Sequence, residues 1–228
     1  MYEHPALLNY SEFFTKQEAD GYKLHWIEIG NLSLPSGQIV AGDPFYVDDI
    51  LPFSIQVKPG KYPLSLCIAQ IEEDHYRVAL AVIRFSDKLP EKWILAVTEG
   101  TEEEELRELA EDEFLGYPVD AGLSSFQDVV VCQKFNKAMN EFFEKYPDGN
   151  YYNDVLADEF AALSGKHPNS REIGDWNIHY PTNNPDENII MFSSGWGDGM
   201  YPCYWGLDKN KQPLALITDF FIFGALGE

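Results

Sequence analysis

The chain has 228 residues, 45% of them hydrophobic and 24% charged. That is the profile of a globular protein and excludes wholesale disorder, collagen and coiled coil. Sixteen lysines and arginines stand against 38 acids, for a net charge of −22, a field that repels nucleic acid and anionic lipid and favours cations or a basic protein partner. The length fits a single domain with ample core.

The opening, Met1 to Phe14, has neither a basic stretch nor an apolar one, so no signal peptide is read. No apolar run reaches the eighteen or so residues of a membrane span, and a cytoplasmic location is expected. Cys67, Cys132 and Cys203 are odd in number and far apart, which points to reduced, buried thiols. The five histidines never fall at zinc-ligand spacing with one another or with a cysteine.

From Leu24 to Thr98 the pattern is mostly strand. His25, Ile27 and Ile29 alternate with Trp26 and Glu28, and Leu34-Pro35-Ser36-Gly37 supplies a turn before Gln38-Ile39-Val40-Ala41. Tyr62, Leu64, Leu66 and Ile68, then Tyr76, Val78, Leu80 and Val82, alternate at period two and predict an antiparallel hairpin of 62–71 with 76–85. Glu99 to Glu113 holds nine acids and one base around Leu106 and Leu109, predicting a short, solvated surface helix. Residues 117–132 return to strand, ending in Val129-Val130-Val131. Phe135, Ala138, Met139, Phe142, Phe143 and Tyr146 recur at helical spacing, and Pro147-Asp148-Gly149 ends them. A second stripe runs from Val155 to Leu163. Residues 166–187, rich in Asn, Pro, Asp and Gly, predict a long loop, and strands follow at 188–193, 200–206 and 213–223. The expectation is one α+β domain over residues 1–228, mostly antiparallel sheet with two central helices packed on one face, and residues 1–23 as an extension.

One stretch, Ser193 to Asp208, departs from ordinary fold text. Gly195, Gly197 and Gly199 surround Trp196 and Asp198, and Tyr201, Tyr204 and Trp205 follow. Such glycines allow a turn that aims Asp198 outward, with aromatics beside it to form a ligand face. A plain hairpin turn is the simpler reading of Asp-Gly. Asp43 lies between Gly42 and Pro44, Asp120 precedes Ala121-Gly122 with Asp128 beyond, and Asp219 sits in an apolar final strand. Were Asp43, Asp120, Asp198 and Asp219 to converge, each pair about 5 Å apart would repel by roughly 3 kcal/mol at an effective dielectric near 20. A hard divalent cation such as Mg or Ca would relieve that repulsion. The candidate ligand- or partner-binding residues are therefore Asp43, Asp120, Asp128, Trp196, Asp198, Tyr201, Trp205 and Asp219. No Gly-x-Ser-x-Gly elbow, phosphate loop or dinucleotide fingerprint is present.

Taken together, Leu34-Pro35-Ser36-Gly37-Gln38-Ile39-Val40-Ala41-Gly42-Asp43-Pro44, Pro59 to Pro63, Val119-Asp120-Ala121-Gly122, Ser194 to Tyr201, Tyr204-Trp205-Gly206 and Leu216 to Phe220 resemble the bacterial family known as domain of unknown function 4241, over about residues 30 to 220. The resemblance implies that these acids and glycines are shared features; it brings no catalytic residue with it. Charge, size and the lack of a catalytic signature favour a binding protein, similar to the immunity proteins that mask a basic toxin. The competing expectation is a divalent-metal hydrolase built on the four aspartates. Carbohydrate binding by Trp196 and Trp205 is a third.

Overall fold

The computed structural model describes residues 2–46, 51–182 and 184–224. Its frame is two antiparallel sheets. The larger begins with β1 (Glu18–Ala19), β2 (Tyr22–Leu34), β4 (Gly60–Glu72) and β5 (His75–Arg84), continues through the late strands β12 (Pro213–Asp219) and β11 (Gly199–Leu207), and ends at β6 (Lys92–Leu95). A short strand β7 (Gly116–Val119) also pairs with β11. The smaller sheet runs β3 (Ile39–Gly42), β8 (Leu123–Asp128), β10 (Ile189–Ser193), β9 (Trp176–His179). The expected hairpin of 62–71 with 76–85 is β4 and β5, turning at Glu73-Asp74.

Period-two alternation in these strands separates two apolar faces, and the larger sheet buries both. On one face Leu64, Leu66, Ile83, Trp205 and Leu216 meet Ile39, Phe126, Ile190 and Phe192 of the smaller sheet. On the other, Cys67, Leu80, Val82, Tyr204 and Ile217 are covered by Tyr10 and Phe13 of the N-terminal segment and by Leu106 of α1 (Glu103–Glu108). Small residues such as Cys67, Ala69 and Ala79 let that segment lie close to the strands. The smaller sheet has a further apolar cluster. In it Val131, Phe135 and Met139 of α2 (Val129–Lys145) and Phe160 of α3 (Ala157–Leu163) gather with Leu123, Ile189 and Met191. The whole is mixed α+β, mostly antiparallel sheet with few helices. No helix of the described residues is long and apolar enough to cross a membrane. Cys67, Cys132 and Cys203 are all buried, as the spacing implied.

Three boundaries differ from the sequence pattern, each for a local reason. Val129-Val130-Val131 opens α2 instead of ending a strand, because Asp128 caps the helix by accepting the Val130 N–H at 2.9 Å; a good cap outweighs the modest strand preference of valine. Residues 166–187 are not a plain loop: Trp176–His179 form β9, whose Trp176, Asn177 and Ile178 pair with Phe192, Met191 and Ile190 of β10. The last strand stops at Asp219 instead of running to 223, since Phe221 takes a positive φ of 53° that breaks extension.

Candidate functional site

The motif acids act first on the backbone. Asp43, fully buried at the end of β3, accepts the Asp120 and Ala121 N–H groups on Oδ2 at 2.9 and 2.7 Å, and the Phe45 N–H on Oδ1 at 3.0 Å. It thereby clamps the turn between β7 and β8. Asp198 accepts the Gly122 N–H at 3.1 Å, and the Gly122 carbonyl accepts the Ser194 N–H. Ala41-Gly42-Asp43, Asp120-Ala121-Gly122 and Ser194 to Asp198 are thus hydrogen-bonded into one piece. Gly122 stands at φ 63°, a left-handed conformation that glycine adopts without the strain a side chain would bring.

The expected convergence of Asp43, Asp120, Asp198 and Asp219 does not occur. Among the described residues no group of three or more His, Cys, Asp or Glu side chains could hold a metal ion. Asp43 is occupied by three N–H donors, while Asp120 and Asp198 are exposed. Asp219 is buried against the N-terminal segment, where Tyr10 donates its hydroxyl at 2.6 Å. Asp128 is likewise structural: besides capping α2 it accepts the Ser36 N–H and hydroxyl and the Gly37 N–H. Trp205 lies inside the core between the sheets, edge-on to Phe53. Tyr201 is buried beneath the 194–199 turn, donating to the Gly197 carbonyl at 2.8 Å; burial, then the charge of Asp198, keeps its phenol above the ordinary value. Strand spacing could place these acids at strand ends but not show that Asp43 faces the Asp120 and Ala121 N–H groups while Asp219 faces Tyr10.

Trp196 is the aromatic candidate that reaches solvent, 58% exposed. The turn that carries it is closed by Gly197 N–H to the Ser194 carbonyl at 2.7 Å and by the Ser194 hydroxyl to the Gly197 carbonyl at 2.8 Å. Gly195, at φ 53°, sits so close to Phe220 that a Cβ would come within 2.7 Å of the Phe220 Cβ. The loop is therefore held from behind and the indole stands on the rim of a cleft of about 820 Å³. Phe143 of α2 lines it too, with Tyr151, Tyr152 and Asn153 around the π-helical turn Tyr152–Leu156. Residues 121–123 and 195–197 are part of the same lining.

Two arginines also line this cleft, and sequence reading did not select them: Arg77 of β5 and Arg171 of the 166–175 segment. They are the only charged residues among the described lining. Arg171 is fixed by Asp175, to which it donates from Nε at 2.7 Å, and by Ser193 at 2.7 Å. The Arg77 guanidinium lies 5.2 Å from the Trp196 ring centroid. Its Nε is buried with no hydrogen-bond partner among the described residues. Burial, then the nearby Arg171, holds Arg77 below the usual arginine value. A basic side chain within a strand of a base-poor chain was the available signal, but nothing in the sequence brings positions 77 and 171 together.

Among the described residues Asp198 makes a single backbone bond, from an exposed position, so Asp198→Asn is expected to cost only about 0.5 kcal/mol. Urea unfolding of the two proteins checks this; a loss above about 2 kcal/mol would show that Asp198 supports far more than the Gly122 turn.

A family model described as protein of unknown function (DUF4241) matches residues 32–218, most of the chain and close to the span of the motifs. Comparison with curated proteins and with solved structures finds no match.

Proposed function

The chain belongs to the family of proteins of unknown function DUF4241, and we propose that it is a binding protein whose recognition site is the cleft beneath Trp196. One observation carries this reading. A large indole is held out to solvent by a turn whose own hydrogen bonds are closed, above a cleft walled by aromatic and amide side chains. Leaving an indole 58% exposed forgoes the burial that usually stabilises a large aromatic, while a ligand could cover it. The motif acids are the scaffold of that rim: Asp43 and Asp198 hold the turns from which Ala121, Gly122 and Trp196 face the cleft.

The test is a thermal-shift screen of the full chain against a library of small polar aromatics, with Trp196→Ala alongside. Ligands of the cleft raise the melting temperature of the wild type and lose most of that effect in Trp196→Ala. If every stabilising compound acts equally on both proteins, the cleft is not the recognition site.

A second reading follows from charge. With a net charge of −22, and with Glu102, Glu104 and Glu105 around a helix in which Arg107 pairs with Glu103, the surface suits a basic protein partner, as an immunity-like role would require. Association would then be fast and would weaken steeply with salt. The aspartate-based hydrolase has less support, because among the described residues no three of its acids form a group that could hold a metal, and Asp43 and Asp219 already accept backbone or hydroxyl donors.

A further inference from the structure

We propose that the cleft binds a small ligand made of a planar ring carrying an anionic group, a carboxylate or a phosphate, with the anion at Arg77 and Arg171 and the ring against Trp196. This rests on the cleft being the recognition site and adds the chemistry of what it recognises.

The argument is one of charge inside the cleft against charge outside it. The chain carries 38 acids and only 16 lysines and arginines, yet the described lining of this cleft contains two arginines and no acid. Asp175 neutralises one of them: Arg171 donates to both its oxygens, through its backbone N–H at 2.7 Å and its Nε at 2.7 Å. Ser193 completes that support by donating to Asp175 at 2.8 Å while accepting from Arg171 at 2.7 Å. Arg171 is therefore pre-positioned by buried partners, as a recognition group must be if binding is not to cost its ordering.

Arg77 has no such partner. Its side chain makes no ion pair or hydrogen bond among the described residues, its Nε is a buried donor without an acceptor, and burial, then the nearby Arg171, depresses its basicity. Two guanidinium groups with one carboxylate leave one positive charge uncompensated in a partly desolvated place. The buried part of Arg77 is its Nε–H, and buried donors are ordinarily hydrogen-bonded. An incoming carboxylate or phosphate supplies the missing acceptor with the forked geometry that arginine matches. The rest of the molecule repels anions at long range, but at physiological salt that field is screened within about 8 Å, so the local pair decides.

The ring follows from Trp196. Arg77 already lies over one side of the indole and His75 meets it edge-on, with centroids 6.0 Å apart. Phe143, Tyr151 and Tyr152 extend the aromatic lining of the cleft. A planar group bonded to the anion would reach this surface while its charge remains at the arginines.

Calorimetric titration of the full chain with phenyl phosphate, benzoate, inorganic phosphate and uncharged benzyl alcohol, each to about 20 mM so that millimolar affinities register, tests this on wild type, Arg77→Gln and Trp196→Ala. Phenyl phosphate or benzoate is expected to bind at least tenfold more tightly than inorganic phosphate and than benzyl alcohol, and the stronger of the two identifies the anion. Arg77→Gln should lose at least tenfold in affinity for the anionic ring while unfolding at the same urea concentration as wild type or higher, because it removes an unpaired buried donor. Trp196→Ala should erase the advantage over inorganic phosphate. If benzyl alcohol binds as well as the anions and Arg77→Gln changes nothing, the anion assignment is wrong while the cleft remains a ring-binding site. If no compound binds, or if all bind equally to Trp196→Ala, both the assignment and the cleft reading fall.

Discussion

Asp128→Ala is expected to destabilise the protein by about 3 to 5 kcal/mol, a large part of the roughly 5–15 kcal/mol that holds an ordinary domain together. The Asp128 carboxylate is fully buried and serves two elements at once. Oδ1 accepts the Val130 N–H at 2.9 Å and so starts α2. Oδ2 accepts the Ser36 and Gly37 N–H groups at 2.9 and 3.1 Å, and the Ser36 hydroxyl lies 2.8 Å from both oxygens. Loss of a helix cap alone costs about 1 kcal/mol; each buried N–H left without an acceptor adds about 1–3 kcal/mol. The Ser36-Gly37 turn has little room to rearrange. Gly37 stands at φ 78°, and a Cβ there would be 2.1 Å from the carbonyl oxygen of Val57, a residue whose own N–H is bonded to the Gly37 carbonyl. Asp128→Asn should recover less than half of the loss, because its NH2 group would face the N–H donors it needs to accept from. Urea unfolding at pH 7 measures both. A loss below about 1 kcal/mol in Asp128→Ala would mean that water or another acceptor replaces the carboxylate, and the clamp would then be of little consequence.

Asp128 also shows what a sequence can and cannot disclose. The Leu34-Pro35-Ser36-Gly37 turn, the strand after it and the hairpin of β4 with β5 are legible, since turn chemistry and period-two alternation are local properties. The start of α2 is not, because three valines in a row look like strand until a cap is known to precede them. The short β9 is hidden for the same reason: Trp176–His179 is strand only because β10 lies beside it. Nor can alternation reveal that both faces of the larger sheet are buried, which depends on where Tyr10 and Phe13 come to rest.

The candidate site divides along similar lines. Glycines around Trp196 and Asp198 correctly mark an unusual turn, and the Trp196 ring does face a cleft. The acids of the same motifs looked like ligands because an aspartate between glycine and proline has two uses that sequence cannot tell apart, binding a cation or accepting backbone N–H groups. Asp43 and Asp128 do the second. Arg77 and Arg171 escaped notice because their meeting is a property of the fold alone.

Asp219 provides a prediction that can be isolated from the rest of this acidic chain. It is wholly buried, and burial pushes its carboxyl up to about 6 from the ordinary 3.8, although bonds from the Tyr10 hydroxyl and the Phe221 N–H favour the ionised form. The ionisable groups that act on it from neighbouring elements, Tyr10, Tyr204 of β11 and Cys67 of β4, are all shifted to higher pKa by burial and stay neutral through this range. Because the folded pKa lies above the unfolded one, the folded state holds the proton more tightly. Its contribution is complete below about pH 3.8 and is lost as pH rises through about 6, a change of roughly 3 kcal/mol at 1.36 kcal/mol per unit. Surface acids such as Glu12 and Glu187, held low by their lysine partners, have the opposite slope, so the wild-type profile alone would mix the two. The difference between wild type and Asp219→Asn removes them. The amide introduced by that substitution can accept from the Phe221 N–H and donate to the Tyr10 oxygen. The Tyr10 hydroxyl is then free to turn towards the buried hydroxyl of Tyr204, whose ring is stacked on its own. The variant is therefore expected to gain about 2 to 3 kcal/mol relative to wild type between about pH 4 and pH 7.5, read from urea unfolding at each pH. A difference that stays flat within about 0.5 kcal/mol would mean that Asp219 is ionised in the folded protein throughout, with its two donors outweighing the cost of burying the charge.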